Sequence, residues 1–260
     1  MTRALGLVTV IVLTASAAPA GEPVRLFDGK DLGQWYTFLR DHGKDKDPNG
    51  TFAVKDGVLR ISGQDWGGLT TRDEYANYKL ELDYAWGGKV WPPREKNARD
   101  SGLILHATGA DGTAGKSWLD GFQCNMIEGG TGDISVTGQN KKYTFEAECI
   151  ESPSGKVSGM WYWKAGAPVK DFRPGGRLLW FGKDPGWKNV LGFRGKSDVE
   201  KGVGEWNTLA VTLKADTMTV QLNGVTVSKA TGLGVTKGKV QIQSEGAEVL
   251  FKRITLTPID

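Results

Sequence analysis

Between residues 78 and 86 the chain alternates: Tyr78, Leu80, Leu82, Tyr84 and Trp86 are apolar or aromatic, while Lys79, Glu81 and Asp83 are charged. A period of two puts each class on its own face of a strand, which a 3.6-residue helix cannot do. The same period recurs. Phe122, Cys124 and Met126 alternate with Gln123 and Asn125, and Tyr143, Phe145, Ala147 and Cys149 alternate with Thr144, Glu146 and Glu148. Asp56-Gly57 and Asn223-Gly224 each sit between two apolar runs (52–54 and 58–61; 218–222 and 225–228), the signal of a two-residue hairpin turn. Residues 69–71, 102–107, 159–163, 177–181, 206–213, 240–243 and 249–256 read as further strands. The 37 glycines fall largely at strand ends, and no stretch sustains three helical turns. The expectation is an all-β chain: a single sandwich of two antiparallel sheets, of the jelly-roll type.

Residues 1–20 read as a leader rather than as structure. Arg3 is followed by an apolar run to Leu13 and by Ala18-Pro19-Ala20, a small-x-small cleavage pattern, so the mature domain is expected over residues 21–260. Export to the periplasm or the exterior follows. The formal net charge is +3 with charges of both signs dispersed, which points away from nucleic acid. No segment after the leader is long and apolar enough for membrane insertion. The two cysteines, Cys124 and Cys149, share the apolar parity of their strands, so a disulfide and two buried thiols are both open. Two cysteines and two separated histidines make no zinc pattern. No dinucleotide-binding fingerprint is present, and no cofactor is expected.

Chemically useful side chains gather between Arg99 and Asp133. Gln123 and Asn125 share the polar face of one strand and can offer donor and acceptor together to vicinal hydroxyls; the bland alternative is an amide ladder on a solvated face. His106 lies on the parity of Gly102 and Ile104 in the preceding strand and can move a proton near neutral pH, or it is a histidine satisfied inside the sandwich. Glu128 and Asp133 bracket a glycine-rich turn, where each is a candidate base, acid or metal ligand; the bland alternative is a turn with Asx capping. Arg94 and Arg194 are loop cations expected at the rim of the same site. Residues 182–204 form a long connection without periodicity, the kind of segment that often belongs to a site. Of the ten tryptophans, most are expected in the core and a few against ligand.

Several stretches resemble the 3-keto-disaccharide hydrolase domain family. They are Leu26-Phe27-Asp28-Gly29-Lys30-Asp31-Leu32 with Trp35, Arg99 to Leu103 through His106, and Ile127 to Asp133. Downstream come Pro153 to Lys156, Trp161 to Lys164, Leu191 to Gly195, Gly204 to Asn207, and Gln243 to Glu248. Each is weak alone, but their order over more than 200 residues is specific. The resemblance implies a concanavalin-like jelly roll and a sugar already oxidised to a ketone at C3 by a separate sugar 3-dehydrogenase. It implies net hydrolysis: a base takes the acidified C2 proton, the glycosidic oxygen leaves C1, and water adds across the alkene. In that scheme Glu128 is the expected base, His106 the expected proton donor, and Gln123, Asn125, Asp133, Arg94 and Arg194 hold the substrate. The family commonly carries Glu-x-Gln where this chain has Gln123-Cys124-Asn125, so the carboxylate expected at position 123 is an amide here. A non-catalytic carbohydrate-binding sandwich, or a sandwich that serves only contacts between proteins, are the alternatives.

Overall fold

The computed structural model describes residues 21–152 and 160–260. The expected leader and the matched stretch at Pro153 to Lys156 lie outside the described residues. Among those described there is no α-helix, and none is long and apolar enough to cross a membrane. The chain opens with β1 (Val24–Phe27), β2 (Trp35–Leu39), β3 (Gly43–Lys44), β4 (Phe52–Lys55), β5 (Val58–Ile61) and β6 (Gly67–Thr71). Next come β7 (Tyr78–Val90), β8 (Asp100–Thr108), β9 (Asp120–Ile127), β10 (Ile134–Thr137), β11 (Phe145–Glu151), β12 (Trp161–Trp163) and β13 (Val169–Phe172). It closes with β14 (Arg177–Leu179), β15 (Asn207–Lys214), β16 (Thr217–Leu222), β17 (Val225–Ala230), β18 (Lys239–Ser244) and β19 (Ala247–Pro258).

These strands form two sheets. The smaller runs β17-β16-β15-β7-β19-β5-β4, with β1 added on β19; the larger runs β13-β11-β12-β14-β10-β9-β8-β18-β6-β2-β3. Among the described residues every pairing is antiparallel except β12 with β14, which is parallel. The larger sheet is therefore mixed, where the sequence pattern gave no reason to expect a parallel pair. Both dipeptide turns form as their chemistry requires: Asp56 and Gly57 have φ of 51° and 78°, and Asn223 and Gly224 of 50° and 83°.

Alternation decides which side chains meet. Leu80, Leu82 and Tyr84 of β7 are fully buried against the other sheet, while Asp83 faces out and pairs with Arg253 at 2.9 Å. From the larger sheet Leu103, Leu105, Phe122, Cys124 and Met126 point inward and join the same core. Each such side chain contributes roughly 1.5–3 kcal/mol on burial. Cys124 and Cys149 are both buried and free. They lie on β9 and β11, with β10, β14 and β12 between them. Four strand spacings put them on the order of 19 Å apart, far beyond the reach of a disulfide. Shared parity put both in the core, but they are not on neighbouring strands.

Candidate functional site

With one face of the larger sheet committed to the core, the other face carries the polar residues of β8, β9, β10, β14 and β18. Gly102 is opposite Asn125 and Ile104 opposite Gln123. Gln123 is in turn opposite Ser135, and Ser135 opposite Arg177. Gln123 donates from Nε2 to Gln243 Oε1 at 2.8 Å and accepts from Ser135 and Thr137 hydroxyls at 3.1 and 3.2 Å. Gly102 makes room for this: a Cβ there would collide with the Gln243 amide and stand 3.0 Å from Gln123 Nε2.

Beside these amides two charged groups assemble. In the first, Arg94 bonds Asp100 through one terminal nitrogen and meets Glu245 Oε1 at 3.3 Å through the other. Gly246, at φ 82°, lets the Arg94 stem lie over the backbone, since a Cβ would come within 2.9 Å of it. The Asp100 and Glu245 side chains are only 11 % and 13 % exposed, and Asp100 Oδ1 has no hydrogen-bond partner. Burial raises Asp100 to about 6, opposed by Arg94, Arg177 and Lys183. Burial and the Asp100 charge push Glu245 well above the ordinary carboxylate range. In the second group the fully buried Asp133 accepts from Lys183 Nζ at 2.5 Å, Arg177 Nε at 3.0 Å and the Trp180 N–H at 3.0 Å. Burial pulls Lys183 below the ordinary lysine range, with Asp133 resisting.

Chemically, the first group holds two neighbouring buried carboxylates around one guanidinium, both raised by burial. Two carboxyls this close favour sharing one proton, and such a pair can serve the two halves of an acid–base reaction. Among the described residues no cluster of three or more His, Cys, Asp or Glu is arranged to hold a metal ion.

Of the residues anticipated from sequence, Gln123, Asn125, Asp133 and Arg94 lie on or beside this face. Three do not join them. The register of β8 against β9 slips between Leu105 and Thr108, and His106 sits in the slip at φ 48°. A bulge of this kind reverses the face a side chain takes. The His106 ring is therefore fully buried, edge-on to Tyr78 with centroids 5.7 Å apart and Nδ1 3.0 Å from the Val235 carbonyl. The Glu128 carboxylate is occupied, accepting from Arg99 NH1 at 2.7 Å and from the N–H groups of Arg99 and Gly192, each at 2.9 Å. Arg194 turns to Asp198 and Glu200 at 3.3 and 3.5 Å. Sequence reasoning missed Asp100, Glu245, Gln243, Arg177 and Lys183 as site residues. Parity was a usable signal for the first three: Asp100 lies two residues before Gly102 in β8, Gln243 faces the same side of β18, and Glu245 follows it by two, one residue past the end of that strand.

Comparison with known proteins agrees with this architecture. A candidate glycosyl hydrolase from Parabacteroides distasonis ATCC 8503 superposes with a TM-score of 0.53 at 18% identity, over 92% of this chain and 94% of its own. A second one from the same organism superposes with a TM-score of 0.51 at 17% identity, over 92% and 100%. A protein of unknown function with a galectin-like fold from Bacillus subtilis gives 0.50 at 8% identity, over 94% and 99%. At these identities the likeness shows the fold, a concanavalin-like sandwich. No curated protein matches the chain at a significant level. Residues 22–257 match the 3-keto-alpha-glucoside-1,2-lyase-like domain. With nearly the whole described sandwich inside that match, the chain belongs to the 3-keto-alpha-glucoside-1,2-lyase-like domain family, a carbohydrate-active family.

Proposed function

We propose that this protein cleaves glycosides whose sugar carries a ketone at C3, with Asp100 as the base and Glu245 as the proton donor. The reading rests chiefly on the Asp100–Arg94–Glu245 group: two buried carboxylates on one guanidinium, Asp100 raised to about 6 and Glu245 pushed well above the ordinary carboxylate range by burial and the Asp100 charge. Asp100 carries the charge and Glu245 the proton, a division that burial and the neighbouring Asp100 charge favour. Asp100 takes the C2 proton, which the C3 ketone acidifies. The C2–H electrons pass into the C3 carbonyl to give an enolate; as it reverts to the ketone they form the C1=C2 double bond, the C1–O bond breaks, and the leaving oxygen takes its proton from Glu245. Water then adds, hydroxyl to C1 and proton to C2, so the sum is hydrolysis. Arg177, the more exposed cation with a 38% accessible side chain, is placed to stabilise the enolate oxygen. Gln123, Gln243 and Asn125 bind hydroxyls. The ketone itself comes from a separate sugar 3-dehydrogenase, and the protein acts in the periplasm or outside the cell. N-terminal mass spectrometry of exported protein should then begin at Gly21.

The test is incubation of the purified protein with a 3-keto-disaccharide while free glucose is followed. Asp100→Asn and Glu245→Gln should each lower kcat/KM by roughly 100- to 10,000-fold. In the wild type, kcat/KM should fall as pH drops through about 6 and Asp100 takes a proton. Near wild-type turnover by folded Asp100→Asn would refute the assignment. The amide at position 123 favours a second reading, a carbohydrate-binding sandwich without catalysis. That reading wins if the wild type binds the keto-sugar and releases nothing.

A further inference from the structure

The face that carries the polar groups does not end at Asp133. Asn125 donates its N–H to the Asp133 carbonyl across the β9–β10 turn. The next residue, Ile134, is opposite Leu178, which places Leu179 beside Asp133 on the outer face. Leu179 is in turn opposite Tyr162, and Tyr162 opposite Ile150. One row thus crosses the sheet from amides through the Asp133 carboxylate to Tyr162 and Ile150. Those last two line a cavity of about 690 Å³ together with Trp163, Phe181, Ala165 and Pro185. Lys183 belongs to both regions, lining the cavity and donating to Asp133 at 2.5 Å. From β8, which carries Asp100, to β12 is four strand spacings, about 19 Å, and Lys183 bridges part of that span, bonding Asp133 while its charge acts on Asp100.

We infer that this cavity holds the leaving group of the substrate, and that the leaving group is aromatic rather than a second sugar. An aromatic group covers apolar walls and is itself covered by them, whereas a sugar needs hydroxyl partners along most of the edges it presents to a wall. The cavity is an open groove whose walls are mainly aromatic and aliphatic, with Asp184 and Ser197 among its partners for hydroxyls beside the lysines. Its cations, Lys164, Lys183 and Lys196, suit a phenolic oxygen or an electron-rich ring face. Its volume is that of a site for a molecule of several rings rather than one phenyl group. This inference rests on the proposed keto-glycoside reading for the sugar half only; the cavity's preference for an aromatic group stands by itself.

The experiment separates the two. The first probe is 4-methylumbelliferone, a two-ring phenol without sugar, titrated into the protein by calorimetry. The variants are Phe181→Ala, which removes a ring that is 46% exposed, and Ala165→Trp, which fills the cavity from an exposed turn and leaves the core untouched. Wild type should bind, and both variants should weaken binding about tenfold or more. The second probe compares the 3-keto-glucoside of the same phenol with a 3-keto-disaccharide of matched anomeric configuration. The aryl substrate should have the higher kcat/KM, and both variants should lower the aryl-to-disaccharide ratio about tenfold. Absence of umbelliferone binding, or binding equal in wild type and Ala165→Trp, overturns the inference. So does a wild type that prefers the disaccharide. If umbelliferone binds at the cavity and no keto-glycoside is cleaved, the proposed reaction falls and the aromatic site stands.

Discussion

Glu128 and Asp100 are both buried carboxylates beside an arginine, and their surroundings give them opposite uses. Glu128 accepts three hydrogen bonds, two from Arg99 and one from Gly192, and no lone acceptor faces the sheet. Asp100 is left with one oxygen unpartnered. Glu128→Gln should therefore act on stability: it leaves the Arg99 guanidinium, 9 % exposed, without its counter-charge. Breaking such a buried pair destabilises by about 3–5 kcal/mol. Urea titration should show that loss, while the folded fraction keeps cleavage within a few-fold of wild type. A fully stable but inactive variant would restore Glu128 to catalysis. Residue types and parity were enough to pick out Gln123, Asn125, Asp133 and Arg94. They could not separate Glu128 from Asp100, because the difference lies in partners that only the fold brings up, Arg99 from before β8 and Gly192 from far along the chain. Nor could they foresee His106, whose face depends on one extra residue in a bulge.

At the scale of elements, the long connection between β14 and β15 is fastened rather than free. Leu191 donates to the Lys96 carbonyl, Gly204 to that of Trp86, and Trp187 Nε1 to that of Glu128. Its inner anchor is Glu200, buried to 3 % exposure. One Glu200 oxygen accepts from Tyr84, from Trp86 at 2.9 Å and from Thr131 at 2.9 Å, and Arg194 stands 3.5 Å from the other. Burial outweighs the Tyr84 bond and raises Glu200 to about 7, with the Asp198 charge adding to the rise. A carboxyl raised in the folded state favours folding while protonated. Its contribution is complete below the ordinary value of 4.5 and is lost as pH climbs through about 7. The loss amounts to about 3 kcal/mol. Stability measured from pH 4.5 to 8 should decline over that window, and Glu200→Gln, which keeps an acceptor for the same three donors, should flatten the decline. An unchanged slope in the variant would place the pH dependence elsewhere. The length and lack of periodicity of this connection were visible in sequence, but its fastening was not. The alternating strands were equally visible; β10 and β13 went unread, although Ile134 and Val136 of β10 alternate with Ser135 and Thr137, while the mostly exposed β13 shows no such pattern.

For the whole molecule, the two-sheet sandwich was the most legible feature, because a period of two over many segments leaves few other folds. What period cannot tell is which strands become neighbours. The order β9-β10-β14-β12-β11 results from long-range pairing, and it decides the fate of the cysteines. Cys124 and Cys149 are buried on strands four spacings apart, about 19 Å by strand spacing. Burial also pushes both thiols up, so neither is primed for reaction as a thiolate. Even in an oxidising solution the native fold should keep them reduced. Protein purified without reductant should react slowly with a thiol reagent while folded and yield two thiols per chain once denatured. Its melting temperature should not move when reductant is added. Fewer than two thiols on denaturation, with a fall in melting temperature under reductant, would mean a bond between these strands and a strand order different from the one described.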